Sequence, residues 1–280
     1  MVQARIGIIN KTINMLDFLL AEDAGLYRKY GLEVEFDTLA GLRSIRALQS
    51  GELDVIVSIG AAIRARMQEQ LPLKVLLLIH RNAPHWVMGR PGIETVNDLR
   101  GGSIQAGDQG SEPDVMVRRW LRENGLDPDK DVQLSYERAH AGWTEEGPLP
   151  AEDAAIARTL EREALEARGY KVLVELCSAF PNTLVHGLVV MEKTLTEKPE
   201  LVSGLVAAHT EVSQWIESGR PEAVAFIGDR WGVSEERAKS AIASLSGVFV
   251  ARHEPADFSA VIASSAAALG QPAIEVADLL

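Results

Sequence analysis

Apolar and polar residues along the first 80 positions form alternating short runs and amphipathic segments. Four runs, at 5–10, 32–39, 53–60 and 73–80, are either continuously apolar or alternate with a period of two, and each has the length of a strand. The segments between them space their apolar residues as helices do. Strands and helices that alternate with short connections predict a mostly parallel sheet with helices on both faces.

The alternation continues in the second part of the chain. Further strands are predicted at 85–90, 103–107, 131–138, 153–157, 170–176 and 185–193. Helices are predicted at 111–125 and 159–169, where apolar residues return every three or four positions. From residue 194 onward the pattern is helical, with one strand-like run at 248–251.

These elements predict an α/β protein with two lobes. Lobe 1 comprises residues 1–90 and 185–280, with a helical C-terminal tail, and lobe 2 comprises residues 91–184. Each lobe contains a strand that starts at an aspartate, Asp54 or Asp153, and runs into a helix. We expect these two segments to be equivalent elements, and their aspartates to serve the scaffold through turn or cap contacts.

Composition narrows the classes of partner. The 280 residues carry a formal net charge of −12 and a sequence pI near 5.0, which disfavours nucleic acid and anionic membranes. The single cysteine, Cys177, excludes an intrachain disulfide and a multi-cysteine zinc site. The longest apolar run, at 75–79, is far shorter than the roughly 20 residues of a membrane span. We therefore expect no membrane insertion, no metal site and no cofactor.

The first residues lack the basic, apolar and small-residue regions of a secretory leader. The sequence leaves two compartments open. The protein is expected in the periplasm or at the cell surface if a leader has been removed, and in the cytoplasm if Met1 is the native start.

Several motifs together carry a family resemblance. The block from Ala21 to Val34 matches the pattern A-x-x-x-G-[LYF]-[YF]-x-x-x-G-L-x-V, and Gly51 to Asp54 matches G-x-[LI]-D. In lobe 2, "VNDLRGGSIQAGDQGS" is similar to L-x-G-K-x-I-A-V-x-x-G-S. The chain resembles type II solute-binding proteins of the NMT1/THI5-like group, which serve ABC transporters of sulfonates, taurine, nitrate and pyrimidine precursors. The resemblance implies a periplasmic-binding-protein fold, a ligand cleft between the lobes that closes by a hinge, an ABC permease as partner, and a monomer.

Candidate site residues follow from the rule that ligands of open α/β sheets bind beyond the carboxyl ends of the strands. The resemblance implies ligand contacts at the matching positions. In lobe 1 these candidates are Asn10, Lys11, Thr12, Gly41, Ser58, Gly60, His80 and Arg81. In lobe 2 they are Gln109, Gly110, Ser111, His140, Trp143 and Arg158. Each also has a structural interpretation, as a turn, cap or satisfied core residue.

Two departures from the family pattern bear on the ligand. Glu112 and Asp114 follow Ser111 in the first turn of a predicted helix, and the segment 139–153 is long and acidic. Negative charge there disfavours a simple sulfonate or nitrate. Both features favour an organic ligand with a neutral or cationic part.

Two other functions stay open. Enzymes of the same fold include decarboxylases, desulfinases and a pyrimidine-precursor synthase, and His80, Arg81, His140 and Arg158 could together hold an aromatic or heterocyclic acid. No metal-ligand spacing or paired carboxylates indicate such chemistry in this chain. The third interpretation is a ligand-sensing domain without a transporter.

Overall fold

A computed structural model describes residues 1–39, 41–136, 147–181 and 185–280. Contacts divide the chain into two compact units. Unit 1 comprises Met1–Ala83 and Asn182–Leu280, and unit 2 comprises Pro84–Pro181. Each unit has its own sheet.

Eleven strands and thirteen α-helices are assigned within the described residues. The strands are β1 (Val2–Ile8), β2 (Leu32–Thr38), β3 (Val55–Ser58), β4 (Leu73–Arg81), β5 (Trp86–Gly89), β6 (Ser103–Gln105), β7 (Gln133–Ser135), β8 (Ala154–Ala157), β9 (Lys171–Glu175), β10 (Val185–Met191) and β11 (Phe249–Arg252). The helices are α1 (Leu16–Asp23), α2 (Leu26–Lys29), α3 (Gly41–Ser50), α4 (Ile59–Glu69), α5 (Glu112–Glu123), α6 (Thr159–Ala167), α7 (Leu176–Ala179), α8 (Thr194–Glu197), α9 (Pro199–Glu217), α10 (Pro221–Trp231), α11 (Glu235–Ser244), α12 (Pro255–Leu269) and α13 (Val276–Leu279).

The sheet of unit 1 has the strand order β11-β4-β10-β3-β1-β2. β1 pairs in parallel with β2 and β3, whereas β10 is antiparallel to both β3 and β4. The carboxyl ends of β1 to β4 therefore meet at one edge of the sheet, together with the start of β10. We call this the carboxyl edge of unit 1. Apolar residues of β3 and β4 pack with those of α4 and α12, including the fully buried Phe258, and form the core beneath the sheet.

β10 fits between its neighbours because Gly187 has no side chain. A β-carbon at Gly187 would lie 2.1 Å from the carbonyl oxygen of Leu77 and 2.7 Å from Cδ1 of Ile59. The first of these atoms belongs to the backbone of β4 and has no freedom to rotate away. The position thus admits glycine alone without a shift of the sheet.

The sheet of unit 2 has the order β7-β6-β8-β5-β9. β6 is parallel to β7 and β8, and β5 is antiparallel to β8 and β9. The pattern matches that of unit 1, with β5 in the place of β10 and β8 in the place of β3. The carboxyl ends of β6 and β8 and the start of β5 define the carboxyl edge of unit 2.

The pairing of β5 corrects the expected boundary of the lobes. A division at residue 90 assigned the strand at 85–90 to lobe 1, but Trp86 pairs with Ala157 and Gly89 with Lys171, both in the sheet of unit 2. The chain passes from unit 1 to unit 2 between Ala83 and Pro84. Sequence spacing placed the strand correctly, but could not show which sheet it joins.

Asp54 and Asp153 make the same kind of contact in the two units. The carboxylate of Asp54 accepts the backbone N–H of Arg5 at 2.9 Å, and that of Asp153 accepts the backbone N–H of Ser103 at 2.8 Å. Burial disfavours the charged form of Asp153, but its hydrogen bonds from Ser103 outweigh this and hold its pKa below the usual 3.8. Both aspartates fix the start of one strand against its parallel neighbour.

We predict that Gly187→Ala lowers the free energy of unfolding of unit 1 by about 3 kcal/mol or more, because the added carbon overlaps a backbone oxygen. Urea unfolding followed by circular dichroism measures the change. Gly228→Ala is the matched control, since its nearest atom is the Val233 carbonyl oxygen at 3.4 Å and the residue lies in α10. Equal stability of the two variants would contradict the proposed fit of β10.

Candidate functional site

The loop after β1 is closed by contacts among its own residues. Oδ1 of Asn10 accepts the backbone N–H of Thr12 at 3.0 Å and its hydroxyl at 2.7 Å. Thr12 is buried, and Lys11 between them is exposed. Asn10 and Thr12 thus form a local turn of the kind that asparagine favours, and Lys11 is the one of the three with a freely solvated position.

Three small residues also lie at the carboxyl edge of unit 1. Gly41 opens α3 with φ +58°, and its carbonyl accepts the hydroxyl of Ser44 at 2.8 Å. Ser58 ends β3, and Gly60 is buried in the first turn of α4. Small side chains here keep the edge open at the end of β3.

His80 lies in the interior behind this edge and belongs to a chain of buried polar side chains. It is fully buried, and its Nε2 lies 2.8 Å from Oδ1 of the equally buried Asp17 in α1. Its Nδ1 lies 3.2 Å from Nδ1 of His186, at the start of β10. In the sheet, His186 is the partner of both Ser58 and His80, so these three residues lie side by side on adjacent strands.

The chain extends from Asp17 in the other direction. Oδ2 of Asp17 lies 2.9 Å from Nδ1 of His209 in α9, and Nε2 of His209 lies 3.0 Å from the hydroxyl of Tyr27. We call the five residues Tyr27, His209, Asp17, His80 and His186 the buried histidine chain. Its members come from α1, α2, α9, β4 and β10, so it ties both segments of unit 1 together.

Electrostatics fixes the hydrogen-bonding roles of Asp17 and Tyr27 in the buried histidine chain. Burial disfavours the charged form of Asp17, but the two neighbouring histidines outweigh it and hold its pKa well below the usual 3.8. Burial raises the pKa of Tyr27 well above its ordinary 10, and the carboxylates of Asp17 and Glu22 raise it further. Asp17 is therefore an acceptor, and Tyr27 keeps its proton as a donor to His209.

Arg81 makes an ion pair inside unit 1. Its Nη2 donates to Oδ1 of Asp257 in α12 at 2.5 Å, and its side chain is 33% exposed whereas that of Asp257 is 9% exposed. The backbone N–H of Arg81 donates to the carbonyl of Val248. These contacts give Arg81 a part in holding α12 and the segment before β11, besides the ligand contact expected from sequence.

In unit 2, the loop after β6 carries Gln109, Gly110 and Ser111. Gln109 is exposed, and the backbone N–H of Gly110 donates to the carboxylate of Asp114 at 2.9 Å. Asp114 is buried and pairs with Nε of Arg118 at 2.9 Å. The carboxylate of Asp114, in the first turn of α5, thus occupies the amide of Gly110.

Ser111 stands at the N-cap of α5 but does not cap the helix. Its side chain makes no capping hydrogen bond, and its buried Oγ has no hydrogen-bond partner among the described residues. N-cap serines normally accept from the second or third helical N–H. The hydroxyl lies against Gly107, 3.7 Å from where a β-carbon of that glycine would be.

Arg158 and Thr159 follow β8 at the same edge. Glu161, which is buried, accepts the backbone N–H of Arg158 at 2.9 Å and its Nη1 at 3.1 Å. Within the part of the chain that the structure describes, the buried Nε of Arg158 and the hydroxyl of Thr159 have no hydrogen-bond partner. β6 and β8 are neighbours in register, Gln105 beside Ala155, so the loops of Ser111 and Arg158 begin side by side. We call Ser111, Arg158 and Thr159 the donor cluster.

Several residues fall outside these observations or were missed by sequence reasoning. His140 and Trp143 lie outside the described residues. His186 was missed because it starts an antiparallel strand, and Thr159 because it follows Arg158 into the helix. Asp17 carried a signal, since one carboxylate in the apolar stretch "MLDFLL" needs a partner when that helix is buried.

The described residues also bear on metal ligands, membrane-spanning helices, surface depressions and the cysteine. They contain no group of three potential metal ligands and no helix long and apolar enough to span a membrane. An open depression of about 480 Å³ runs along α3 between Leu39 and Glu52, and of the predicted site residues that the structure describes only Gly41, which opens α3, lies next to residues that line it. Burial raises the pKa of the Cys177 thiol to about 12, so it is a poor nucleophile.

Two units of mixed sheet flanked by helices, with polar loops at the carboxyl ends of parallel strands, define a periplasmic-binding-protein fold. A family model described as "NMT1/THI5 like" matches residues 12–221. The chain belongs to this family.

The relatives bind small organic molecules. The chain is 23% identical over 204 residues to the riboflavin-binding protein RibY of Chloroflexus aurantiacus; the match covers 70% of this chain and 57% of RibY's length. It is also similar to the alkanesulfonate-binding protein SsuA of Xanthomonas axonopodis pv. citri bound to MOPS, with 16% identity, a TM-score of 0.75, and coverage of 100% and 98% of the two chains. The periplasmic aliphatic sulphonate binding protein SsuA of Escherichia coli has 17% identity, a TM-score of 0.68, and coverage of 96% and 92%.

An enzyme shares the fold as well. The desulfurization enzyme DszB has 14% identity and a TM-score of 0.64, with coverage of 100% of this chain and 96% of its own. At this level of identity the similarity establishes a common fold and carries no information on chemistry.

We predict that Asp17→Asn lowers the free energy of unfolding at pH 7 by about 3–5 kcal/mol, because two buried histidines lose their carboxylate. The pKa of Asp17 is lower in the folded state than its usual 3.8. Its stabilisation is therefore complete above that value and is lost as the pH falls toward the folded pKa. Urea unfolding at pH 7, 5 and 3 tests this, with the half-exposed Asp37→Asn as control. A difference of the same size at all three pH values would contradict it.

We predict that Arg81→Ala lowers the free energy of unfolding by about 1–3 kcal/mol, since it leaves the buried Asp257 without its cation. The surface pair of Arg5 and Asp37, with side chains 45% and 38% exposed, supplies the control. Arg5→Ala should cost about 0–1 kcal/mol. Thermal unfolding of both variants measures the two losses of stability. If Arg81→Ala were as stable as Arg5→Ala, Arg81 would have no scaffold role.

Proposed function

We propose that this protein is the substrate-binding component of an ABC importer, which binds a small organic molecule without transforming it. The donor cluster is the observation that carries the proposal. A buried donor without a partner costs about 1–3 kcal/mol, and among the described residues three such groups lie on the segments that follow two adjacent strands. A ligand with hydrogen-bond acceptors would satisfy them together.

The relatives support the biological setting of this proposal. The similar proteins include a periplasmic sulphonate-binding protein and a riboflavin-binding protein, and the family model covers most of the chain. We therefore propose a periplasmic or cell-surface location and a membrane permease as partner. Closure of the two lobes on the ligand by a hinge stays a prediction from the family resemblance.

The charges around the donor cluster indicate the chemistry of the ligand. Arg158 is neutralised by the buried Glu161, and the amide of Gly110 is taken by Asp114. What is left consists of two hydroxyl groups and one guanidinium N–H, with no net positive charge beside them. Such donors suit carbonyl, amide or ring-nitrogen acceptors better than a fully charged sulfonate. We propose a neutral heterocyclic or amide-bearing ligand, a class that includes riboflavin.

No observation among the described residues favours catalysis over binding. A cofactor-independent desulfinase or decarboxylase needs an activated nucleophile or a general acid facing the ligand. The thiol of Cys177 is buried and protonated at neutral pH, and His80 is engaged on both ring nitrogens. A ligand-sensing domain would bind in the same way, and differs only in lacking a permease.

The first experiment is native mass spectrometry of the protein as purified, followed by titration with riboflavin and with methanesulfonate. We expect a bound small molecule, or saturable binding of riboflavin at least tenfold tighter than that of methanesulfonate. Preference for methanesulfonate would overturn the ligand class. No co-purified molecule, and no binding of either probe, would overturn the proposed function.

We predict that Thr159→Val and Ser111→Ala weaken binding of the co-purified molecule, or of riboflavin, by about 5- to 30-fold each, equivalent to about 1–2 kcal/mol. Neither should lower the melting temperature, because neither hydroxyl has a hydrogen-bond partner among the described residues.

Thr210→Val and Ser44→Ala are the matched controls for these two variants. Their hydroxyls donate to the carbonyls of Val206 and Gly41, both at 2.8 Å. They should lose stability and keep full affinity. Isothermal titration and thermal unfolding separate the outcomes; unchanged affinity in both donor-cluster variants would remove the cluster from the binding site.

A further inference from the structure

The contact between His80 and His186 requires a shared proton. Their Nδ1 atoms are 3.2 Å apart, and both residues are buried. Two lone pairs at that distance repel each other, and two N–H groups clash, so one of the two atoms carries hydrogen and the other accepts it. Nε2 of His80 must also carry hydrogen, because it faces the carboxylate of Asp17 at 2.8 Å.

These two requirements leave two protonation states of the pair. In the first, both rings are neutral, the shared proton sits on His186, and Nε2 of His186 is an acceptor. In the second, one more proton has been taken up, the pair carries one positive charge, and Nε2 of His186 carries hydrogen. In the second state Nε2 of His186 carries hydrogen whichever of the two rings holds the shared proton.

The surroundings make the second state accessible. From α1 the carboxylate of Asp17 faces the pair, and α9 contributes His209, which contacts the other carboxylate oxygen. From β11 the pair meets Phe249, whose ring lies 4.5 Å from that of His80. Arg81, the next residue of β4, has its charge matched by Asp257. With the extra proton, the cluster of Asp17 and the two histidines has no net charge, which favours it in a buried site.

We propose that the buried histidine chain is a proton-linked unit, in which uptake of one proton by His80 and His186 together converts Nε2 of His186 from an acceptor to a donor. Asp17 is the positioning residue, because it fixes the orientation and the Nε2–H of His80. His186 begins β10 beside Ser58, at the carboxyl edge of unit 1. That the conversion tunes ligand affinity rests on the proposed function; the proton chemistry does not.

The test is a pH titration of the ring nitrogens by NMR, on protein labelled with ¹⁵N-histidine, between pH 4 and 10. Single His→Gln variants assign the signals. We expect His80 and His186 to change in one common transition, while Nε2 of His80 stays protonated throughout. Separate transitions, each unaffected by replacement of the other ring, or no transition of either ring, would overturn the proposal.

Variants give the direction of the coupling. Asp17→Asn should weaken proton binding by His80 and His186 at least tenfold, because the variant lacks the carboxylate that faces His80. If that variant does not fold, His186→Gln serves instead, and should abolish the common transition and move that of His80. His253→Gln is the control, since Nδ1 of His253 contacts the carbonyl of Leu76 outside the chain. A His80 transition unchanged in His186→Gln would contradict the shared proton.

Binding measurements separate this inference from the proposed function. Riboflavin and methanesulfonate are titrated at one pH on each side of the transition. An affinity that differs at least fivefold between the two, and no longer differs in His186→Gln, supports the link to the ligand. A common transition without binding of either probe supports the proton-linked unit and counts against the proposed function. Equal affinity of a bound probe on both sides overturns the link to the ligand.

Discussion

The insertion of β10 between β3 and β4 is the constraint on which unit 1 depends. This strand returns from the second half of the chain and runs against the direction of both neighbours, with Gly187 packed directly onto the backbone of Leu77. The register shifts between Gly187 and His186, and His186 lies beside Ser58 on one side and His80 on the other. The path of β10 between its two neighbours thus decides which polar groups meet at the carboxyl edge.

The buried histidine chain and the donor cluster are two different arrangements of buried polar groups. In unit 1, Tyr27, His209, Asp17, His80 and His186 satisfy one another within the fold, so their desolvation is offset internally. In unit 2, the donor cluster is buried and unsatisfied among the described residues. Stability alone would select against the second arrangement, because replacing such groups by apolar ones costs little. A ligand supplies a physical reason for keeping them.

Sequence patterns were sufficient for the elements and the class of fold. Apolar periodicity placed the strands, and the motif from Ala21 to Val34 indicated the family. They could not assign β5 to one of the two sheets, because a buried strand of four residues has the same apolar pattern in either sheet. For the site, the rule of strand ends selected Ser111, Arg158 and His80 as candidates, and their ligand contacts stay a prediction. It could not find His186 or Asp17, since one starts an antiparallel strand and the other lies within a helix. Partner choice between side chains depends on register and packing, which no local pattern encodes.

The two aspartate-led segments show how one topology yields two different edges. Asp54 and Asp153 each pin the next strand by the same backbone contact, and β3 and β8 have equivalent neighbours in their sheets. At the end of β3, Ser58 lies beside His186, the second residue of β10. At the end of β8, Ala157 lies beside Trp86, the first residue of β5, whose ring centroid lies 4.9 Å from the guanidinium carbon of Arg162.

An aromatic side chain in the place of a hydrogen-bonding one changes what its neighbours can do. In unit 1 the histidine passes its hydrogen bond inward to His80, and the chain ends at Tyr27. In unit 2 the tryptophan ring packs in the core with Met88 and Leu165, and among the described residues the side chains of Arg158 and Thr159, which follow β8, keep atoms without a hydrogen-bond partner. The two edges therefore present different polar groups, buried histidines in unit 1 and the donor cluster in unit 2.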